Sequence, residues 1–433
     1  MVIHAPASST NPSIINTVHH QIVVIGGGAA GITVTSLLLK RNRSLDIAIV
    51  DPSDKHYYQP GWTLTGGGVF KIEDTVRNQQ DVIPKGSTWI KDRVVKLDPD
   101  RNVIITQGGI QIEYDYLIVC PGIQIDWHLI KGLKEAIGKN GVTSNYSSRY
   151  APYTWELIRN FSGGNALFTV PNTPIKCGGA PQKVMYMADD AFRSKSGVRQ
   201  RTNVKFLTPG NRMFAVPEYA ALLDKVIKKR EIEVKFRHNL KEIKAEIKAA
   251  VFDIYDDNGN IIDEVIYNYD MIHVTPPQSA PDFIKQSFLA APDNVYGWVD
   301  VDKYTLQHNQ YSNVFSLGDA SSLPTSKTAA SARNQAVVVA ENLLAFIGEK
   351  PLTHNYDGYT CCPVITGYNR TIMAEFDGYN AKIVSSFPLN PAKERWIMWK
   401  MKTTALPWIY WHRMLKGERF EGDYIKFMHW KKD

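Results

Sequence analysis

The chain has 433 residues, room for two or three domains, and 44% hydrophobic against 21% charged residues lets it bury real cores. That composition excludes a disordered tail protein. Its 30 Gly and 23 Pro exclude a collagen-like chain, and its four cysteines exclude a disulfide-dense secreted scaffold. The net charge of +7 is unevenly placed, because Lys393 to Asp433 carries ten Lys/Arg against five Asp/Glu, with five of the ten tryptophans: Trp396, Trp399, Trp408, Trp411 and Trp430. A basic, aromatic end suits the anionic face of a membrane better than nucleic acid, since no groove-reading motif accompanies it.

No Asp, Glu, Lys or Arg precedes Lys40, so neither an Arg-rich presequence nor the basic start of a secretory signal is readable. The uncharged run from Ile22 to Leu39 has the length of a membrane span. Gly26, Gly27, Gly28 and Gly31 interrupt it, and it reads instead as a strand entering a helix. No other segment is long and apolar enough to span, so any membrane attachment is peripheral. Residues 21–25, QIVVI, predict a buried parallel strand, and Gly26, Gly28 and Gly31 follow in GxGxxG spacing. A helix is expected from Ile32 to Lys40, then a second strand, DIAIV, ending at Asp51, twenty residues after Gly31. Each part has a physical task. Gly26 makes the tight turn, Gly28 lets the backbone approach a pyrophosphate, and Gly31 lets helix and strand pack closely. The helix start at Ala29 and Ala30 offers free N–H groups to phosphates, and Asp51 can bond ribose hydroxyls.

Farther on, Tyr114 to Gly122 reads YDYLIVCPG, the strand and small turn that two-domain flavoproteins place after their β-meander. Residues 313–320, NVFSLGDA, end an apolar strand in Gly318-Asp319, the second fingerprint of FAD proteins, in which the Asp holds the ribityl chain. The three motifs together favour FAD over NAD. Between them lies a middle strand, Ala166 to Val170, followed by PNTPIKCGGAPQK and a helix expected from Pro181 to Phe192. No GxGxxG occurs there or after the next strand, Val204 to Leu207. A nicotinamide dinucleotide would lack its phosphate cradle, so the electron donor is expected to be something else, and Cys177 sits where it could act.

Cys120 closes an apolar strand and reads as a buried structural thiol. Cys177 stands between Lys176 and Gly178-Gly179 just before a helix, where an ammonium and a helix N-terminus both favour thiolate. Cys361 and Cys362 are adjacent, in DGYTCCPV, and rarely would such neighbours bond to each other. Either inert packing or thiol redox chemistry is compatible with these three at this point.

Several longer stretches have no general structural meaning: HYYQPGWTL near Tyr57, NTPIKCGGAPQK around Cys177, HVTPP at His273, GWVDVDKYTLQH at Gly297, LPTSKTAA around Lys327 and DGYTCCPVITGYNR around Cys362. On these, from about Gln21 to the C-terminal region, the chain resembles the mitochondrial type of sulfide:quinone oxidoreductase, within the two-dinucleotide-domain FAD-dependent pyridine nucleotide-disulfide oxidoreductase superfamily. The resemblance implies that hydrogen sulfide is oxidised at a cysteine pair to a persulfide. The sulfane sulfur goes to an acceptor such as glutathione, sulfite or cyanide, and two electrons pass through FAD to ubiquinone. By motif the pair is Cys177 and Cys362. The family shows a small residue where this chain has Cys361, and Cys362 directly precedes Pro363 as the family's cysteine precedes its proline.

The same carry-over puts Ala29 and Ala30 at the pyrophosphate, Asp51 at the adenosine ribose, Gln59 by the flavin and the Val94 backbone at adenine. Asp319 would hold the ribityl chain. Lys327 and Thr328, opening a helix that runs to Leu344, would face the isoalloxazine. Quinone is a lipid, and two interfacial helices, Lys393 to Lys402 and Leu406 to Lys416, broken at Pro407, are expected to face the membrane. The expected fold is α/β with two Rossmann-like domains. A discontinuous FAD domain takes 20–150 plus 290–350, a nucleotide-fold-like domain takes 151–289, and a membrane-facing region takes 351–433. The expected location is the inner mitochondrial membrane, peripherally, or otherwise a bacterial plasma membrane. No metal-ligand cluster is read. The competing readings are a type II NADH:quinone oxidoreductase, which requires the missing second glycine fingerprint, and a non-catalytic FAD-binding protein, which requires neither Cys177 nor Cys362.

Overall fold

A computed structural model describes residues 14, 16–386 and 388–418. The expected tail features beyond 418, Trp430 among them, lie outside these residues. The fold is mixed α/β. Ile22, Val23, Val24 and Ile25 are all but fully buried, as a strand covered on both faces must be, and they form the end of the strand Asn16–Ile25. It pairs in parallel with Ile47–Val50 on one side and Ile110–Val119 on the other. The sheet runs in the order Ser87–Ile90, Ile47–Val50, Asn16–Ile25, Ile110–Val119, Val103–Thr106, Val94–Asp98. The last two strands are antiparallel, and Val314–Ser316 returns from far along the chain to pair in parallel with Leu117–Val119. Two remote segments, the first glycine turn and Gly318-Asp319, therefore leave the carboxyl end of one sheet, where ligands of open parallel sheets sit. The helix Ala29–Arg41 packs against the helix Ala329–Ile347 over this sheet.

A second, parallel sheet has the order Val142–Thr143, Met271–His273, Gly164–Thr169, Thr202–Thr208, Glu233–Phe236. Its first strand starts at Val142, ahead of residue 151, where the second domain was expected to begin. The crossing point is the short pairing of Gln124–Ile125 with Gln278–Ser279. Sequence could not place it, because a two-residue strand carries no periodic signal. An antiparallel hairpin, Tyr359–Gly367 and Arg370–Asp377, then packs on the helix Ala180–Arg193.

The two helices expected at the C-terminus differ from expectation. Trp396–Lys400, a π-helical Met401–Ala405 and Leu406–His412 follow one another without a break. Pro407 lies in the first turn of the last segment and does not separate two helices, because the widened π turn before it removes the bond and the clash that a proline would otherwise disturb.

The turn glycines differ in what they do. Gly26 has φ +105°, and a Cβ on it would lie 2.5 Å from the Cys120 carbonyl oxygen. A Cβ on Gly31 would lie 1.8 Å from the Gly26 carbonyl oxygen, whereas one on Gly28 would meet nothing within 4 Å. Gly31→Ala is therefore expected to cost roughly 1–3 kcal/mol or more of stability through overpacking, and Gly28→Ala well under about 1 kcal/mol. Urea unfolding midpoints of the two variants check this; equal midpoints would contradict it.

Candidate active site

The carboxyl end of the first sheet opens into one cavity of about 760 Å³. Gly27, Gly28, Ala29, Ala30 and Asp51 line one end of it. The Asp51 carboxylate accepts from Gly27 N at 2.7 Å and from Ser53 N at 2.8 Å. Burial pushes its pKa up, and those two amides oppose the shift. The helix Ala29–Arg41 begins with no side-chain cap, so its first N–H groups are left for a ligand. The bare Gly28, the uncapped helix and the acid together fit a dinucleotide pyrophosphate and ribose. Gly26 and Gly31 build the turn and do not line the cavity. Val94 is buried in its strand, only 4% exposed, and is also absent from the lining.

Gln59, Gly318, Asp319, Lys327 and Thr328 line the cavity farther in. Thr328 caps the helix Ala329–Ile347, its hydroxyl accepting from Ser331 N. Lys327 is not a solvated charge. Its ammonium donates to the Ser321 carbonyl at 3.0 Å and lies 3.9 Å from the Trp298 ring centre. Burial lowers its pKa to about 8, with Asp319 opposing. Lys176 donates to Gln59 Oε1 at 2.5 Å.

Cys177 reaches this chamber from the loop after Gly164–Thr169. Its backbone adopts φ +54°, and its N–H donates to the Lys327 carbonyl at 2.8 Å. Its Sγ lies 3.7 Å from Cys362 Sγ and 3.0 Å from Lys183 Nζ. At 3.7 Å the two sulfurs touch without a covalent bond. The Cys177 thiol is held well below its usual pKa, first by the hydrogen bond from Cys362 and then by the Lys183 ammonium, against the effect of burial. Cys362 is pushed the other way, by its bond to Cys177 and by burial. Cys177 lines the cavity; Cys362, 2% exposed, lies behind it. Alternation along Tyr359–Gly367 turns Cys361 to the opposite face, where it lines the cavity and touches Met373 Sδ at 3.5 Å. Cys120 is buried, with its Sγ 3.8 Å from the Gly26 carbonyl oxygen.

Sequence reasoning missed Lys183 and Lys402. Lys183 is 3% exposed on the inner face of Ala180–Arg193, between the buried Gln182 and Val184. A lysine on an otherwise apolar helical stripe was the available signal. Lys402, also 3% exposed, donates to the Pro60 carbonyl at 3.0 Å. Its pKa falls to about 8 through burial and the nearby Lys183 charge. It comes from the π turn, where no sequence rule would have aimed it inward. The third missed group is His56, which bridges the Gly27 carbonyl, 3.1 Å from Nδ1, and Tyr410 Oη, 2.6 Å from Nε2.

Residues 20–152 match the family model described as pyridine nucleotide-disulphide oxidoreductase. The chain is 45% identical over 399 residues to the mitochondrial sulfide:quinone oxidoreductase of Mus musculus, covering 92% of this chain and 87% of the mouse protein. It is 47% identical over 402 residues to that of Dictyostelium discoideum, with 92% and 87% covered. The structure of the sulfide:quinone oxidoreductase from Aquifex aeolicus superposes with a TM-score of 0.76 over 92% of each chain at 21% identity, a likeness of fold. At these identities over nearly its whole length, the chain belongs to the sulfide:quinone oxidoreductase family.

Proposed function

We propose that the chain oxidises sulfide at Cys177 and Cys362 and delivers the electrons to a membrane quinone through FAD. The observation that carries this reading is the thiol pair, 3.7 Å apart with an ammonium at 3.0 Å, at the wall of the cavity that begins at the Gly28 turn. Gly28, Ala29, Ala30 and Asp51 would hold the pyrophosphate and ribose, and Asp319, Lys327, Thr328 and Gln59 the part nearest the thiols. FAD, when bound, supplies a two-electron carrier between thiols and quinone.

The chemistry balances at sulfur. In the oxidised pair, hydrosulfide attacks one sulfur, the S–S bond breaks, a persulfide forms and the other sulfur leaves as thiolate. The lower-pKa sulfur is the better leaving group. Cys177, with the Lys183 ammonium at 3.0 Å and its sulfur on the cavity wall, is assigned as the thiolate released facing the cavity, and Cys362 as the sulfur that takes the incoming one. An acceptor nucleophile such as glutathione, sulfite or cyanide then removes the outer sulfur and leaves two thiolates. Their return to the disulfide releases two electrons. Lys183 holds negative charge on Cys177 at that stage.

Quinone access is proposed at the C-terminal helices. Met401, Leu406, Ile409 and Met414 line the cavity from this side. Trp396 and Trp408, 56% and 51% exposed, stand outside, with Lys400 and Arg413 over their rings. No helix among the described residues is long and apolar enough to cross a membrane. Peripheral attachment to the inner mitochondrial membrane accommodates these features and the mitochondrial relatives.

Under anaerobic conditions, sulfide alone should bleach the flavin band of the purified holoprotein, and a short-chain ubiquinone should restore it. Cys177→Ser and Cys362→Ser should each lose sulfide-dependent quinone reduction by at least about 10³-fold, the scale of removing a covalent nucleophile. Bleaching by NADH and not by sulfide would sink the proposal. Lys183→Met should raise the Cys177 pKa, since an opposite charge that favoured the thiolate is gone. The pH profile of alkylation of the reduced protein should move up accordingly; an unmoved profile would remove Lys183 from the scheme. Trp396→Ala/Trp408→Ala should bind anionic vesicles at least about tenfold more weakly, because losing even about 1.4 kcal/mol of apolar burial is a factor of ten. Sedimentation with vesicles measures it.

A further inference from the structure

The helix Ala180–Arg193 carries Lys183 near its start and Asp189 and Asp190 near its end. Asp189 is wholly buried, and its carboxylate accepts from Arg230 at 2.6 Å, Arg199 at 2.5 Å and Arg193 at 2.9 Å. Asp190 accepts from the same Arg230 at 2.7 Å, from Arg370 at 2.9 Å and from Tyr368 N at 2.7 Å. The other arm of the Arg230 guanidinium donates to the Thr366 carbonyl at 2.6 Å. One buried arginine thus ties the helix to the hairpin that contains Cys362. A Cβ on Gly367 would lie 2.3 Å from Asp190 Oδ2 and 2.4 Å from Arg230 Nη2, so only glycine fits where the hairpin turns over this group.

The spacing links this cluster to the thiols. Along the strand, Cys362 and Thr366 are separated by roughly 13 Å at about 3.3 Å per residue. Along the helix, Lys183 and Asp190 are separated by roughly 10 Å at about 1.5 Å per residue. Strand and helix therefore lie side by side, held by ion pairs at one end and meeting at Cys177 and Cys362 at the other. At the thiol end the contact is tight as well: a Cβ on Gly179 would lie 2.7 Å from Cys362 Sγ. The two cysteines stand 185 positions apart in the chain, so local sequence does nothing to fix their distance.

We propose that Arg230, with Asp189, Asp190 and Arg370, is a positioning clamp that sets the axial place of the hairpin on the helix and so holds Cys362 within bonding reach of Cys177. This rests on the reading of those two cysteines as the redox pair. A disulfide tolerates only a narrow range of Cα and Cβ separations. Forming it from a pair already held together costs little, and from a hairpin free to slide it costs more. Loosening the clamp therefore lowers the equilibrium constant for the disulfide. It does so without touching a reacting atom.

The test is a thiol–disulfide titration of the holoprotein in glutathione redox buffers, with alkylation and mass spectrometry reading Cys177 and Cys362. Arg230→Met should lower the disulfide's equilibrium constant by about tenfold, an upward shift of about 30 mV for a two-electron couple. Arg370→Gln, which alters a half-exposed partner of Asp190 alone, should shift it in the same direction by less. Arg230→Lys should recover part of the loss, because it restores a charge and not the fork. Thermal melts accompany each variant. A change in melting temperature with an unchanged redox constant in folded Arg230→Met and Arg370→Gln overturns the clamp; should Arg230→Met fail to fold, Arg370→Gln decides alone. If the unaltered protein forms no Cys177–Cys362 disulfide in any buffer, the redox-pair reading itself fails, and the clamp with it.

Discussion

A low-pKa thiol placed 3.0 Å from a buried ammonium is the interaction around which the rest of this molecule is arranged. Neither partner is tolerable in the interior alone. An uncompensated buried lysine would lose its proton, and an uncompensated buried thiol would keep its own. Here each supplies what the other lacks. The Lys183 pKa is raised, by the negative charge of Cys177 and Cys362, in spite of the burial that pulls it down, and the Cys177 pKa is lowered. Three sheets must converge to build this pair. The helix of Lys183 comes from the second parallel sheet, Cys362 from the C-terminal hairpin, and the carbonyl that receives the Cys177 N–H from Lys327, beside the first sheet.

The cationic surroundings are graded. Lys183 touches sulfur, Lys402 reaches from the π turn to the Pro60 carbonyl, and Lys327 stands at the helix start near Asp319. Burial lowers both Lys402 and Lys327 to about 8. Near neutral pH each therefore holds a proton that it can give up within the ordinary range, which a solvated lysine cannot do. The ammonium beside Cys177 is electrostatic stabilisation of a thiolate, set in place by folding.

The sequence made the nucleotide turn legible because its physics is local. Gly26 and Gly31 are dictated by a turn and a helix contact within a few residues, Gly28 leaves open space beside them, and Asp51 directly follows the next strand. Cys177 was legible too, as a thiol beside a lysine and a helix start. What pairs with it was not derivable from spacing. Cys362 meets it across 185 residues, and only the resemblance to known motifs singled it out from Cys361. The strand pleat supplies the missing reason, since neighbours on a strand point to opposite faces. Lys183 and Lys402 went unread because lysine is nearly always solvated, so composition argues against the very burial that gives them a role. The early start of the second sheet and the unbroken C-terminal helix depend on a two-residue pairing and a π turn, features below the reach of periodicity.

The missing second glycine fingerprint follows from the same arrangement. In the second sheet, the turn between Gly164–Thr169 and Ala180–Arg193 is the topological place for a dinucleotide phosphate. Here its backbone is committed elsewhere: Lys176 N donates to Gln278 Oε1 at 3.0 Å and Cys177 N to the Lys327 carbonyl at 2.8 Å. The ground in front of the helix start is taken as well, because Cys362 Sγ stands 2.7 Å from where a Gly179 Cβ would be. A pyrophosphate cradle needs inward-curling N–H groups and open space before the helix. A thiol pair reaching toward the first domain needs that backbone turned the other way and that space filled. One turn does not serve both demands: the backbone that would cradle a phosphate here is spent on holding Cys177 against Lys327 and Lys176 against Gln278.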